Sequence, residues 1–202
     1  SNSLYFNIDN YNFLWNNEFF NHYVDGYTLI GYNLRPTLEY HFTSQIKAEA
    51  GVYLQKYSGL DHYKRILPTY KVTWHTDHFA VIAGTINGTT FHRLPDPILH
   101  HELQMTNAQE DGFQLVYNNE RIFADAWVNW QSFIFAGDKK QEELYGGLSV
   151  DPIIIQNENW EINTPAAFVI FHQGGQIDSV DRSLKTLMNY TAGIQATRAT
   201  AF

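Results

Sequence analysis

The chain has 202 residues, which suits one domain with a sizeable buried core. Its charged fraction is only 17% and its net charge is −8, with no stripe of Lys or Arg, which argues against nucleic acid as a partner. There is no cysteine, so disulfides, thiolate catalysis and cysteine-held metals are excluded.

Aromatic residues are abundant, with 13 Tyr, 14 Phe and 5 Trp, and this mix favours strands over helices. No run of about 18 apolar residues occurs, so no transmembrane helix is expected. A barrel strand shows lipid only at every second residue, so low mean hydropathy does not argue against a membrane. The opening Ser1-Asn2-Ser3 fits a mature end or a cloning scar.

Residues 1–26 read as an irregular lead-in rich in Asn and aromatics, with a helical turn near Asn16–His22. From residue 27 onward, period-2 alternation marks strands. Thr28, Ile30, Tyr32, Leu34, Pro36, Leu38, Tyr40 and Phe42 oppose a row that includes Asn33, Arg35, Thr37 and Glu39. Ile46, Ala48, Ala50, Val52 and Leu54 oppose Lys47, Glu49, Gly51, Tyr53 and Gln55. Ile66, Pro68, Tyr70, Val72 and Trp74 oppose a row with Lys71. Shorter strands follow at 78–85 and 112–118. Ile122, Ala124, Ala126, Val128 and Trp130 oppose Phe123, Asp125, Trp127 and Asn129. Further strands fit 143–156 and 160–172, and a last alternation starts near Asn189.

Short links rich in turn formers fall at 43–44, 76–77, 118–120 and 157–159. Long links fall near 57–65, 86–102, 136–142 and 173–187. Strict alternation of the two is the mark of an up-and-down antiparallel meander, with all short turns at one end. The fold expected is therefore all-β: a transmembrane-type β-barrel of about 8–9 strands over 27–202, or part of one. A soluble β-sandwich is the alternative.

Tyr40, Phe42, Trp74, Phe79, Tyr117 and Trp160 flank the short turns and read as an aromatic girdle. The apolar rows carry several Ala, whereas the opposite rows hold Trp127, Phe123 and Tyr53 among charges. That distribution fits apolar side chains towards lipid and charges towards a lumen. A mid-depth Arg or Lys on lipid would cost about 2–4 kcal/mol. Arg35, Glu39, Lys47, Glu49, Lys71 and Asp125 are accordingly expected on the lumen side, as selectivity charges if the barrel is a channel. Pro36 and Pro68 remove ladder donors and are expected at bulges.

Asn16–Asn21, Asp25–Leu29, Glu49–Lys56, His92–Pro97, Phe123–Trp130 and His172–Asp178 resemble, in pattern and motif, uncharacterised outer-membrane porin-like β-barrel proteins of Gram-negative bacteria. The resemblance implies a place in the cell outer membrane and no established catalytic residues. It implies no established substrate; the role expected is a channel or structural wall, with the lipid bilayer as partner and, for a channel, a small solute as cargo. A tail whose outward row includes Arg198 suggests the first part of a larger barrel, completed by further strands or another chain.

Other constellations are weaker. The segment Asp96–Glu102 gathers His100, His101 and Glu102 but reads as a polar loop, because neighbouring histidines on a strand point to opposite faces. Glu39 and Glu49 fit pairing with Arg35, Lys47 or Lys71 better than glycoside hydrolysis. No phosphate-loop, nucleophile-elbow or HExxH spacing occurs. No enzyme, metal or cofactor is expected. A carbohydrate-binding sandwich, with Trp127 or Trp130 in an exposed groove, is the competing function.

Overall fold

The computed structural model describes residues 2–19, 23 and 26–199. Among these residues it is an antiparallel meander of twelve strands with one four-residue helix. In chain order these are β1 (Ser3–Asn17), β2 (Tyr27–His41), β3 (Ile46–Tyr57), β4 (Arg65–His75) and β5 (Phe79–Thr85). Then come α1 (Leu103–Thr106), β6 (Asp111–Asn118), β7 (Ile122–Ser132) and β8 (Glu143–Gln156). β9 (Trp160–Asn163), β10 (Ala166–Gln173), β11 (Lys185–Ala192) and β12 (Gln195–Arg198) complete the chain.

Strand order follows chain order from β1 to β8, continues through β10 to β11, and carries β9 and β12 as a side branch. The all-β meander is as the sequence indicates, and short and long links alternate as far as β9, where a second short link follows the first. Among the described residues the order is an open path from β1 to β11 rather than a ring.

Twelve strands among the described residues replace the eight or nine expected, for three reasons, one being that the final alternation near Asn189 divides at Gly193-Ile194 into β11 and β12. The lead-in at 3–17 is itself a strand, paired with β2 over its whole length from Ser3↔His41 to Asn17↔Tyr27. Asn10 and Asn12 interrupt the row of Leu4, Phe6 and Ile8, and Phe13 and Trp15 fall in the opposite row, so the alternation is hidden. The stretch 160–172 divides at Thr164-Pro165 into β9 and β10, because proline cannot donate to a central ladder. The helical turn expected at 16–22 is strand through Asn17; residues 20–22 lie outside the described set.

Pro36 produces no bulge. Its register with Ile8 is unbroken, and the missing donor shows only as a gap in the β2–β3 pairing, between Leu34↔Leu54 and Thr37↔Gly51. The short turns are closed by side chains: Thr43 Oγ1 accepts from the Ile46 amide at 2.9 Å, and Asn119 Oδ1 accepts from the Arg121 and Ile122 amides at 2.8 Å each.

Two compact units divide the chain, residues 1–72 with 101–109, and residues 73–100 with 110–202. Each carries its polarity inside out. In the first, Thr37, Tyr53, Gln55 and Thr69 are buried, while Phe6 and Ile66 are each 63% exposed. In the second, Asp125, Gln114 and Ser149 are buried, while Phe113 and Phe135 are exposed. Such contiguous exposed apolar surface is uncommon on a water-facing monomer. The second unit also has an apolar cluster of Ile82, Ile86, Leu94, Val116, Phe123, Trp127, Ala167 and Val169.

Candidate active site

The long link between β5 and β6 does not stand out into solvent. Its 101–109 part lies on the first unit. There Asn33 Nδ2 donates to the Gln104 carbonyl at 2.7 Å, and Gln55 Nε2 and Tyr57 Oη donate to the Met105 carbonyl at 2.8 and 2.9 Å. Carbonyls that a four-residue helix leaves unpaired are thus satisfied by strand side chains. Its 86–100 part lies on the second unit, where Ile86 and Leu94 join the apolar cluster and His92 is wholly buried.

His92 is the centre of this site. Its Nδ1 donates to Asp125 Oδ2 at 2.6 Å, and its Nε2 faces Glu110 Oε2 at 3.2 Å. Asp125 comes from β7, whose period-2 spacing puts it on the buried face with Phe123, Trp127 and Asn129. Glu110 immediately precedes β6. Gln114, facing Asp125 from β6, donates to both carboxylate oxygens at 3.0 Å. The Gln114 amide oxygen in turn accepts from the Asn87 amide at 3.0 Å. Thr89 Oγ1 donates to the far oxygen of Glu110 at 2.6 Å. The loop is therefore tied to the strands through the same groups that hold the imidazole. Arg93, beside His92, adopts φ 49°, a strained setting for a residue with a side chain. Its guanidinium lies 3.8 Å from the Phe123 ring centroid.

Both neighbours of the imidazole are carboxylates, an arrangement that favours the protonated ring with both nitrogens donating. Burial alone would push its pKa down, but the hydrogen bonds to Asp125 and Glu110 outweigh burial and the net direction is up. A raised native pKa stabilises the fold fully below the unfolded value of about 6.5, and that contribution is lost as pH rises through the native value. The urea midpoint of the wild type is therefore expected to fall between pH 6 and pH 9 by more than that of His92→Gln. Equal slopes for the two proteins would refute the linkage.

The residues singled out by sequence reach different places. In the first unit the cation and anion rows meet: Lys47 Nζ lies 2.8 Å from Glu39 Oε2 and 3.6 Å from Glu49 Oε1, and Lys71 Nζ lies 4.0 Å from Glu49 Oε2. His41 also reaches Glu39, at 2.6 Å. Arg35 lies over the Tyr53 ring at 5.7 Å. Asp125 is not in this ladder; it belongs to the His92 cluster of the other unit. The expected girdle residues Tyr40, Phe42, Trp74, Phe79 and Trp160 are exposed beside short turns, and Tyr117 is half-buried against Phe79 at 4.7 Å. Glu102 accepts from Asn17 Nδ2 at 3.5 Å. Trp127 is buried, and Trp130 donates to Glu142 Oε1 at 3.0 Å.

Sequence reasoning passed over His92, Glu110 and Gln114. The only signal for them was two polar residues, Gln114 and Asp125, on buried strand faces; the histidine itself sits in a loop without periodicity.

The chain matches the family model described as Lipid A 3'-O-deacylase-type over residues 1–202. No curated protein matches it. The family is one of enzymes, and this overturns the expected resemblance to an uncharacterised porin-like protein, the channel, transport or structural role, and the expectation of no enzyme activity. It equally displaces the carbohydrate-binding alternative. The porin reading failed because alternation, turns and aromatic placement describe a wall, and an enzyme and a channel can be built on the same wall. The chain belongs to the Lipid A 3'-O-deacylase-type family.

Proposed function

We propose that this chain is an outer-membrane ester hydrolase that removes a 3'-O-linked acyl chain from lipid A, with His92 as its proton-transferring group. The observation that carries the reading is the buried imidazole held at Nδ1 by Asp125 and faced at Nε2 by Glu110, in a chain whose family is named for deacylation. The exposed apolar faces of both units support a place in the bilayer, where a lipid substrate resides.

The chemistry follows from the geometry. Asp125 fixes the ring through Nδ1, as the orienting carboxylate does in hydrolytic triads. Nε2 is then the nitrogen available for proton transfer. With His92 neutral, water loses a proton to Nε2 as its oxygen attacks the acyl carbonyl carbon. The tetrahedral intermediate collapses, the ester C–O bond breaks, and the proton passes from Nε2 to the departing sugar oxygen. Fatty acid and the free hydroxyl are the products. His92 has no exposed surface, so the reaction requires the 86–100 segment to lift and Nε2 to exchange Glu110 for water. The longer of its two contacts is the one that must open. The strained backbone at Arg93 fits a segment with a second arrangement.

The test is direct. The full chain, refolded in detergent, is incubated with hexa-acylated lipid A, and products are read by mass spectrometry. Loss of the 3'-O-linked acyl group with free fatty acid is the expected result; a folded protein that leaves lipid A intact, across neutral and alkaline pH, would overturn the reading.

A further inference from the structure

The His92 ring is confined in its plane by two carboxylates, and one of its faces is confined as well. The Trp127 indole lies parallel to it, with ring centroids 3.7 Å apart and planes 11° from parallel. Trp127 is only 5% exposed. Its Nε1 has no hydrogen-bond partner among the described residues, although a buried indole ordinarily finds one. The ring is therefore not seated by its own polar handle.

What seats it is an absence on the neighbouring strand. Trp127 on β7 is register-paired with Gly147 on β8. A Cβ at Gly147 would lie 2.8 Å from both Cη2 and Cζ2 of the indole and 2.5 Å from the Phe168 carbonyl oxygen. Any larger residue would occupy the space of the benzo ring or displace β10. Gly147 thus leaves the place in which the indole lies flat beside the imidazole.

We infer that Trp127 is a positioning residue for His92, holding the imidazole edge-on to Asp125 and Glu110 so that Nε2 alone is free to exchange its partner. The role rests on the deacylase reading above. An indole face also attracts a cation stacked on it, so it favours the imidazolium that forms when Nε2 takes the proton. The groups that set the ring's charge are Asp125 from β7, Glu110 ahead of β6 and, on its own segment, Arg93, whose guanidinium is directed to Phe123. Tyr145 on β8 lies within electrostatic reach of Glu110.

The experiment compares wild type, Trp127→Phe and Trp127→Leu in the refolded full chain. His92 is titrated by NMR with labelled histidine, its resonance assigned by its loss in His92→Gln, and deacylation of lipid A is followed against pH. In Trp127→Leu the His92 midpoint is expected to fall by about one pH unit, with kcat reduced about tenfold and KM little changed. The rising limb of the pH–rate profile moves down with that midpoint. Trp127→Phe, which restores an aromatic face, recovers most of both. An unmoved midpoint in Trp127→Leu, or equal damage in the Phe and Leu variants, would overturn the inference. If the midpoint follows Trp127 while even the wild type leaves lipid A intact, the coupling of the two rings stands and it is the deacylase reading that falls.

Discussion

His92→Gln is expected to lower lipid A deacylation by at least a hundredfold, within the range of about 10²–10⁴ that a positioned acid–base group contributes. Glutamine is planar and of similar reach, and its amide can donate to one of the two carboxylates that the imidazole joins. It cannot take a proton from water at any pH near neutral. Loss of rate with the folded fraction intact, read from heat-modifiable gel mobility of the same preparation, isolates chemistry from folding. A His92→Gln protein that folds and keeps a tenth or more of wild-type turnover would remove His92 from the mechanism. The other histidines give a control: His62 is exposed and pairs with Asp61 at 2.6 Å, and its replacement is expected to leave turnover unchanged.

Asp125→Ala carries the largest expected stability loss. The carboxylate is wholly buried and accepts from His92 once and from Gln114 twice. Removing it leaves an imidazolium with one carboxylate fewer and a buried amide without its acceptor. Breaking a buried charge pair from one side costs about 3–5 kcal/mol, a large part of a domain's total stability. Urea unfolding in detergent should show a correspondingly lower midpoint. Asp125→Asn should cost less, because its amide oxygen still accepts from Nδ1 while the charge is gone. A loss below 1 kcal/mol in Asp125→Ala would show that the cluster is neutral or hydrated rather than a buried ion network. Replacing an exposed surface pair, by contrast, would cost no more than about 1 kcal/mol.

Arg35, Glu39, Lys47, Glu49 and Lys71 fall on one face because side chains alternate at every residue of a strand, a rule that needs no knowledge of the partner strand. The turns at Thr43 and Asn119 were equally legible, since a hydroxyl or amide oxygen closes its own turn within three residues. β1 was missed because Asn10 and Asn12 in its apolar row, and Phe13 and Trp15 in the opposite one, blurred the same rule. Pro36 was misjudged because whether a missing donor matters depends on which neighbour it would have served.

The sequence alone determined the opening property of this protein: strands with two unlike faces, joined by short and long links in turn. Those are local consequences of backbone geometry and turn chemistry. It did not determine which charges meet. Asp125 looked like one more member of the polar row, equivalent to Glu39 or Lys71. Only the tertiary structure separates it from them, by folding the 86–100 segment onto β6 and β7. That brings a histidine 33 residues from Asp125 and 18 from Glu110 into contact with both. Chain entropy and packing decide that closure, and neither is written in the period of any strand. The stacking of Trp127 on His92 likewise depends on a glycine across a strand pair, a relation set by register and invisible until the strands are aligned.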